Sequence, residues 1–536
     1  MKKLKLVCVA IAMACATPTL AGGLLTNTNQ HVAFNRMMSR EASIGIDGAY
    51  YNPAGVVFMS EGHHLAINWQ LAFQTRTINN DYALFTNNVN NPITPRDFKG
   101  TAFAPVIPSF QYAYNKGKWS FQASFALTGG GGKCTFDDGL GSFEKIVAET
   151  AIAACGLAGV VDQTLGNTLG QPGMEMFTSD QAFGKTGKYS FNSYMHGRQY
   201  YYGLSVGAAY KFCDNFSAFL GVRGVYALTN YYGYVENINV GNMPLYKVLD
   251  PTKESSANIE LSCDQSGVGF TPIIGVDYKT GRWNFSAKYE FKTRIRLKNK
   301  SVNQTPSIGN LPANLANQMT GILTAKYQQA GLPLEQAKQQ AENTTNAVLN
   351  DPTVGATMMG LKTQFDQKLN KAIGEYEDGK KIAGDIPAYL ALGVGYSPVD
   401  AVRVNVGFHW FDDKNATSYN NRNKELKRGT LEYNAGVEVD VNKKITLSTG
   451  WQNTNYGLSD EYMDDKSFVV SSNSVAIGGV YHINKKMDLN VAYFHTFYQH
   501  KKTTETVQLT ADRSLNYSSD YTRNNNVFAV GLDINF

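Results

Sequence analysis

The end of the chain constrains the fold more than any other stretch. In 526–536, Phe528, Val530, Leu532, Ile534 and Phe536 alternate with Val527, Ala529, Gly531, Asp533 and Asn535. An apolar face set against a small or polar face at a period of two is a β-strand between two different surroundings. The pattern recurs in 401–411, where Val402, Val404, Val406, Phe408 and Trp410 oppose Arg403, Asn405, Gly407 and His409, and again in 430–441. In 283–298 the spacing sets Trp283, Phe285, Tyr289, Ile295 and Leu297 on one face, with Lys288, Glu290, Lys292, Arg294 and Arg296 on the other. A soluble β-sandwich also alternates, but it rarely sustains such long apolar faces opposite strings of charge. Lipid outside and a polar lumen inside account for both faces at once.

The start of the chain predicts the compartment. Lys2, Lys3 and Lys5 precede a short apolar run over 6–16, and Thr19-Leu20-Ala21 places small residues where export peptidases cut, so 1–21 reads as a signal peptide. A lipoprotein signal ending at Cys15 is the competing reading, weakened by the absence of Leu three residues upstream. Beyond Ala21 no run of about 18 apolar residues is found, the length a spanning helix needs, so no membrane-spanning helix is expected. A mature chain in a bilayer must then be a closed barrel, the remaining way to satisfy every backbone group in lipid. The 31 Tyr and 28 Phe suit strands with aromatic edges, and a net charge of +5 over 536 residues does not point to nucleic acid.

Counting alternating segments gives fourteen, roughly 62–78, 103–115, 118–128, 197–211, 215–234, 258–279, 282–298, 385–397, 401–413, 428–441, 444–456, 473–484, 487–503 and 521–536. Tight polar turns such as Asn115-Lys116-Gly117-Lys118, Lys279-Thr280-Gly281-Arg282 and Asn442-Lys443-Lys444 join alternate pairs on what would be the periplasmic side. Two connections on the opposite, outer side are far too long for turns. The first, 129–196, carries a helical pattern near 143–161; the second, 299–384, carries patterns over 311–349, broken at Gly331-Leu332-Pro333, and 357–376. Loops of this length are functional lids or binding surfaces, or else a shield at the cell surface.

Residues 22–61 lie between the signal and the first strand and lack strand alternation, and a barrel this wide has room for them inside. They contain Tyr51-Asn52-Pro53-Ala54-Gly55, in which Pro53 fixes its own φ and pushes Asn52 out of the helical region. The stretch from Glu41-Ala42-Ser43-Ile44-Gly45 through Asn52-Pro53-Ala54 resembles the N-terminal hatch of the long-chain fatty acid transporter family (FadL/OmpP1/TodX). Ala104-Pro105-Val106-Ile107-Pro108 resembles that family's second strand, and Asp385-Ile386-Pro387-Ala388 with Gly393, Tyr396 and Trp410 its mid-chain signature. The terminal Phe536 resembles the signature that barrel-assembly machinery reads. The resemblance covers essentially the mature chain except the outer loops. The best-known members carry helical insertions after strands five and seven, whereas here the extra length follows strands three and seven.

The resemblance implies an all-β, fourteen-stranded transmembrane barrel over 62–536 in the bacterial outer membrane. It implies a monomer among lipid and lipopolysaccharide, with a 22–61 hatch inside and helical outer insertions. It also implies passive uptake of a fatty-acid-like hydrophobic molecule, with no cofactor and no metal. Asn52, Pro53, Ala54 and Gly55 would gate the lumen, and a kink in strand three at Gly129 and Gly130 would release cargo sideways into the bilayer. Glycines in a strand permit such a bend.

A carboxylate cargo would need a cation in the lumen, for which Arg223, Lys288, Lys292, Arg294 and Arg296 are the candidates, unless they are ordinary lumen charges. Two alternatives remain open: a surface adhesion or scaffold barrel with a permanent plug, and a lipid-hydrolysing barrel enzyme. Gly203-Leu204-Ser205-Val206-Gly207 matches a nucleophile pattern, but that motif needs a strand-to-helix elbow and Ser205 sits mid-strand. Cys134 and Cys155 fall in one outer loop and could pair; Cys213 and Cys263 are less suited.

Overall fold

The computed structural model describes residues 24, 26–306, 308–510 and 513–536. The expected signal peptide, 1–21, lies outside them. Fourteen staves close into one antiparallel barrel. They are β1 Gly62–Tyr82, β2 Arg96–Lys116, β3 Trp119–Phe136, β4 Tyr189–Lys211, β5 Phe216–Val240, β6 Ile259–Thr280 and β7 Trp283–Glu290 with its continuation Arg296–Gln304. Then come β8 (Lys381–Ala383 and Tyr389–Val399), β9 Val402–Phe411, β10 Thr430–Asn442, β11 Ile445–Asn455, β12 Ser472–Asn484, β13 (Met487–Tyr498 and Lys501–Thr510) and β14 Arg513–Asn535. The barrel closes where β14 pairs with β1, from His64↔Asn535 at one end to Tyr82↔Tyr517 at the other.

The period-two reading holds along nearly every stave. Trp69, Phe121, Phe270, Leu220 and Phe528 stand exposed on the outer wall, while Asn68, Gln122, Thr271, Arg223 and Asn525 are buried toward the lumen. The expected boundaries fall short mainly at the outer ends, because β1, β2, β4, β5 and β14 continue past the lipid-facing band as tall hairpins. The inner turns are tight, with Gly117 at φ 58° and Gly281 at φ 56° taking the left-handed positions that a Cβ disfavours.

The outer connections are helical where expected. Gly141–Leu169 follows β3, and Leu311–Gln329, Leu334–Leu349 and Pro352–Ile373 follow β7, with the break at Gly331–Pro333 as predicted. One correction concerns Gly141–Leu169, which is long and apolar enough to cross a membrane by length and composition. Its small Ala and Gly residues hid it from a search for unbroken apolar runs. It packs instead under the loops, with Phe143, Val147, Ala151 and Val161 inside the largest hydrophobic cluster, which also takes in Met319, Val348 and Leu361.

Candidate functional site

The lumen is filled from the N-terminal side. Residues 26–42 are all buried, although none belongs to a barrel strand. His31 caps the short helix Val32–Met37 by accepting the Ala33 N–H at 2.9 Å on Nδ1, and Met38 ends it at φ 61°. This helix rests against the inner faces of β11, β12 and β13.

Six wall glycines make room for the segment. A Cβ on Gly436 or Gly450 would overlap the Met37 carbonyl, on Gly478 the Arg36 side chain, on Gly393 the backbone of Glu41 and Ala42, on Gly407 the Glu41 carboxylate, and on Gly531 it would crowd Val32. The sequence marked Gly407 and Gly531 as members of a polar strand face and Gly393 as part of the mid-chain signature, but none of the six as room for this segment. A glycine on the lumenal face of successive strands was the available signal.

Asn52, Pro53 and Ala54 each hold a different stave. Asn52 accepts the Gly55 N–H at 3.1 Å and donates to the Asp277 carboxylate of β6 at 2.6 Å. The Pro53 carbonyl accepts from Gln122 of β3 and the Ala54 carbonyl from Ser217 of β5, both at 2.7 Å. Gly55 has to be glycine, since a Cβ would collide with the Asn52 amide. Buried ion pairs complete the anchoring. Arg36 pairs with Glu438, Arg40 meets Asp47 through Nε and Nη2 at 2.7 and 3.0 Å, and Glu41 reaches His409 at 2.7 Å, which in turn holds Glu432 at 2.8 Å. Although burial opposes it, Arg40 holds the Asp47 carboxyl below its ordinary range, and His409 does the same for Glu41. Removing one member would strand a buried charge, which costs several kcal/mol, on the order of 3–5.

The wall has a weak seam, and the N-terminal segment touches it. Pairing between β2 and β3 lapses from Ala102↔Cys134 to Phe110↔Phe125, so 103–109 and 126–133 face each other without a ladder. β3 also slips against β4 between Leu127 and Gly129 and again between Gly130 and Gly132. Gly130 at φ 70° and Gly131 at φ 130° take conformations that side chains rarely adopt, and a Cβ on Gly130 would strike the Gln199 carbonyl. Across the seam, Pro105 and Pro108 have no N–H to donate. Asn27 binds to this place through its N–H to the Thr128 carbonyl at 2.9 Å and its amide to the Gly130 carbonyl at 2.7 Å and the Leu127 carbonyl at 3.2 Å. Gln30 adds a bond to Leu127 at 3.0 Å. Apolar side chains lie beside the seam on the lumenal side, among them Ile107, Leu127, Phe34, Tyr50 and Tyr51.

The five cations singled out in the sequence divide. Arg223 meets Glu290 at 2.6 and 3.0 Å, and Lys288 meets Glu290 at 2.9 Å and the Tyr50 carbonyl at 2.6 Å, so both are committed to the wall and the segment. Lys292 is partly exposed and donates to the Asn415 carbonyl at 3.1 Å. Arg294 and Arg296 correct the expectation of an unbroken strand, because they stand outside, with Arg296 paired to Asp385 at 2.9 Å. The reason is a slip at 291–295, where Thr293 leaves the ladder to bridge Ile386; beyond it the faces exchange and Ile295 and Leu297 turn inward. There they join Tyr201, Val225, Ala227 and Ile382 in an apolar patch high in the lumen.

Above the barrel, the outer loops line an apolar cleft that is partly open to solvent. Leu157 and Val161 from Gly141–Leu169, Leu245 and Val248 from the connection after β5, and Leu311 and Leu361 from the helices after β7 line it, and among the described residues Thr150 is the one polar side chain on its walls. The long helix after β3 thus forms one wall of the cleft, beside the short connection after β5. All four cysteines of the described residues are free: Cys134 is buried in β3, and the Cys155 thiol faces the Phe183 carbonyl at 3.4 Å instead of Cys134. Ser205 is buried and accepts from Arg223 at 2.9 Å.

No protein-family model matches this chain. No curated protein matches it either. Solved structures do. A Pseudomonas aeruginosa FadL homologue is similar over 96% of this chain and 100% of its own, at 14% identity and a TM-score of 0.59. The TodX deltaS2S3 mutant, a monoaromatic hydrocarbon channel, is similar over 94% of this chain and 99% of its own, at 13% identity and a TM-score of 0.50. The chain therefore has the fold of FadL-type barrels, as the hatch, second-strand and mid-chain resemblances implied.

Proposed function

We propose that this chain is an outer-membrane channel for passive uptake of hydrophobic small molecules, long-chain fatty acids or similar amphiphiles. The N-terminal hatch gates it and the β2–β3 seam releases the cargo sideways. One observation carries the reading: Asn27 and Gln30 of the hatch bond to the carbonyls of Leu127, Thr128 and Gly130, where β3 has let go of β2. A displacement of the hatch therefore reaches the seam without an intermediary.

In this reading cargo first settles in the outer cleft, driven by removal of apolar surface from water at about 25 cal/mol per Å². It passes the Ile295–Tyr201 patch to the hatch, and leaves beside Ile107 and Leu127 into the bilayer. Release into lipid spares the apolar tail a second exposure to water. Arg223 and Lys288 hold the hatch through Tyr50 instead of holding cargo. The shared fold with the FadL homologue agrees with this reading.

Uptake of radiolabelled oleate in a strain lacking the gene, complemented with wild type or with an Asn52→Cys, Asp277→Cys pair that tethers the hatch to β6, tests it. Uptake by wild type, loss in the oxidised pair and recovery on reduction are expected. Equal uptake in all strains would leave a permanently plugged scaffold as the better account.

A further inference from the structure

The slip at 291–295 that turns Ile295 and Leu297 inward also sets a row of cations on the outer wall. Arg294, Arg296, Lys298 and Lys300 take every second position there, and all four are exposed. Register widens the row across the sheet. Lys298 stands directly opposite Lys381 of β8. One rung further out, Lys300 lies opposite Asp264 of β6, Asp264 opposite Asn230 of β5, Asn230 opposite Arg198 of β4, and Arg198 opposite Lys133 of β3. Lys381, Arg198 and Lys133 are exposed as well. Arg296 pairs with Asp385, but among the described residues Arg294, Lys298, Lys300, Lys381, Lys133 and Arg198 have no carboxylate at ion-pair distance. Asp264, the one acid in the outer rung, accepts the Asn230 amide at 2.8 Å. Like charges directly across a ladder destabilise it, and Lys298–Lys381 and Lys133–Arg198 are two such pairs. A face shaped for solvent alone intersperses the two signs, and this one does not.

The row begins where the lipid-facing wall ends. One rung inward of Lys298 the sheet runs Tyr202, Tyr226 and Val268, and the next runs Leu204, Gly224 and Phe270. Val268 and Phe270 are 63% and 70% exposed, a display that suits acyl chains, with tyrosines along its upper edge as at a membrane interface. At about 3.4 Å per residue, the Lys298 rung lies about 7 Å beyond Val268 along the strand and the Lys300 rung about 14 Å. A headgroup layer is roughly 5–8 Å deep on each side of the hydrocarbon. On tilted strands the first rung therefore falls within that layer and the second at its outer edge.

We propose that this face, on the outer wall over β3–β8, binds the phosphate groups of lipopolysaccharide in the outer leaflet, with its acyl chains against Tyr226, Val268 and Phe270. Ammonium and guanidinium groups are donors without acceptors, and one phosphate offers oxygens to several of them at once. It also supplies the counter-charge that the wall withholds from its two like-charged pairs. A soluble acidic partner would have no use for the apolar rungs beneath, and their continuity with the cations selects a lipid. The inference rests on the outer-membrane placement of the preceding reading and not on transport.

Lipid A and its phosphatase-treated form, which share sugars and acyl chains, are titrated onto the full chain in a non-ionic detergent, with binding followed by thermophoresis. Wild type should bind the phosphorylated form about tenfold more tightly, the scale of a few cations at an anionic surface, and the gap should narrow as salt rises. Arg294→Gln, Lys298→Gln and Lys300→Gln together should remove the gap and leave the affinity for the dephosphorylated form. Lys133→Gln with Arg198→Gln should narrow it. Lys443→Gln, Lys444→Gln and Lys485→Gln, at exposed inner turns, should leave it as it is. Heat-modifiable gel migration shows that each barrel has closed. Equal affinity of wild type for the two forms, a gap that persists in the closed triple variant, or one that the inner-turn substitutions remove as well, would overturn the site. A gap that follows these expectations in a protein that carries no oleate into cells would support the site and remove the transport reading instead.

Discussion

Asn27 donates its side-chain amide to the Gly130 carbonyl at 2.7 Å, and this bond ties the lumenal segment to the place where β3 leaves β2. The lumenal segment and the weak seam of the wall are therefore in direct contact.

Breaking that tie should loosen the seam before it loosens the barrel. Asn27→Ala removes bonds to Leu127 and Gly130 worth about 1 kcal/mol each. Amide exchange over 126–133 should quicken while exchange in β11–β13 stays slow, and oleate uptake should change. Unaltered exchange along β3 would separate the plug from the seam.

The glycines of the lumen wall make a second prediction. A Val at Gly450 would occupy the space of the Met37 carbonyl and must push the short helix Val32–Met37 off β11. The barrel should still assemble, since the outward face is untouched, but single-channel recordings should show larger and noisier conductance to small ions. Silent recordings from a closed Gly450→Val barrel would mean that the segment accommodates the change.

Pro53→Leu or deletion of 52–55 should alter uptake without abolishing assembly. The deletion takes away the partners of Gln122, Ser217 and Asp277 together, leaving the Asp277 carboxylate buried with Asn284 as its remaining amide donor. Uptake at the wild-type rate with normal gel migration would dismiss the gating role of this turn.

Charge placed in the outer cleft should impair capture alone. Leu157→Asp sets a carboxylate among Val161, Leu245 and Leu311, raising the concentration of cargo needed for half-maximal uptake by on the order of tenfold. The rate at saturation should persist. A loss confined to the saturated rate would place the first encounter elsewhere.

Asp413, in the loop between β9 and β10, gives a pH signature. Burial pushes its carboxyl up to about 6, against the bonds from Thr430 and from the Leu24 N–H that favour the charged form. The folded state then holds a proton that the unfolded chain releases near its ordinary value of 3.8, so stability falls as pH rises between about 4 and 6. Asp413→Asn should flatten that part of the curve, measured as the urea midpoint of gel-monitored unfolding across pH. An unchanged slope would assign the pH dependence to other groups.

Much of the barrel was legible because its physics is local. A strand between lipid and lumen writes its surroundings into every second residue, so 401–411, 430–441 and 526–536 could be read singly, and tight turns at Gly117 and Gly281 set their order. Reading failed where local pattern and global register part. The slip at 291–295 exchanges the faces of β7, and no alternation count across 283–298 reveals that Arg296 ends outside and Ile295 inside. The candidate site was less legible still. Asn52 stood out through its Pro53 neighbour, but its partner Asp277 lies 225 residues away.

By itself, then, the sequence determined a closed antiparallel barrel, because period two and the need to satisfy every backbone group in lipid leave little else. It also determined that something of about forty residues, at 22–61, had to be accommodated before the first strand. Only the tertiary structure decided what that segment touches. The six wall glycines matter because they line up against the lumenal segment from different staves, and Asn27 matters because the β2–β3 ladder lapses opposite it. Each depends on register between strands far apart in the chain, and register is a property of the closed barrel that no single strand carries.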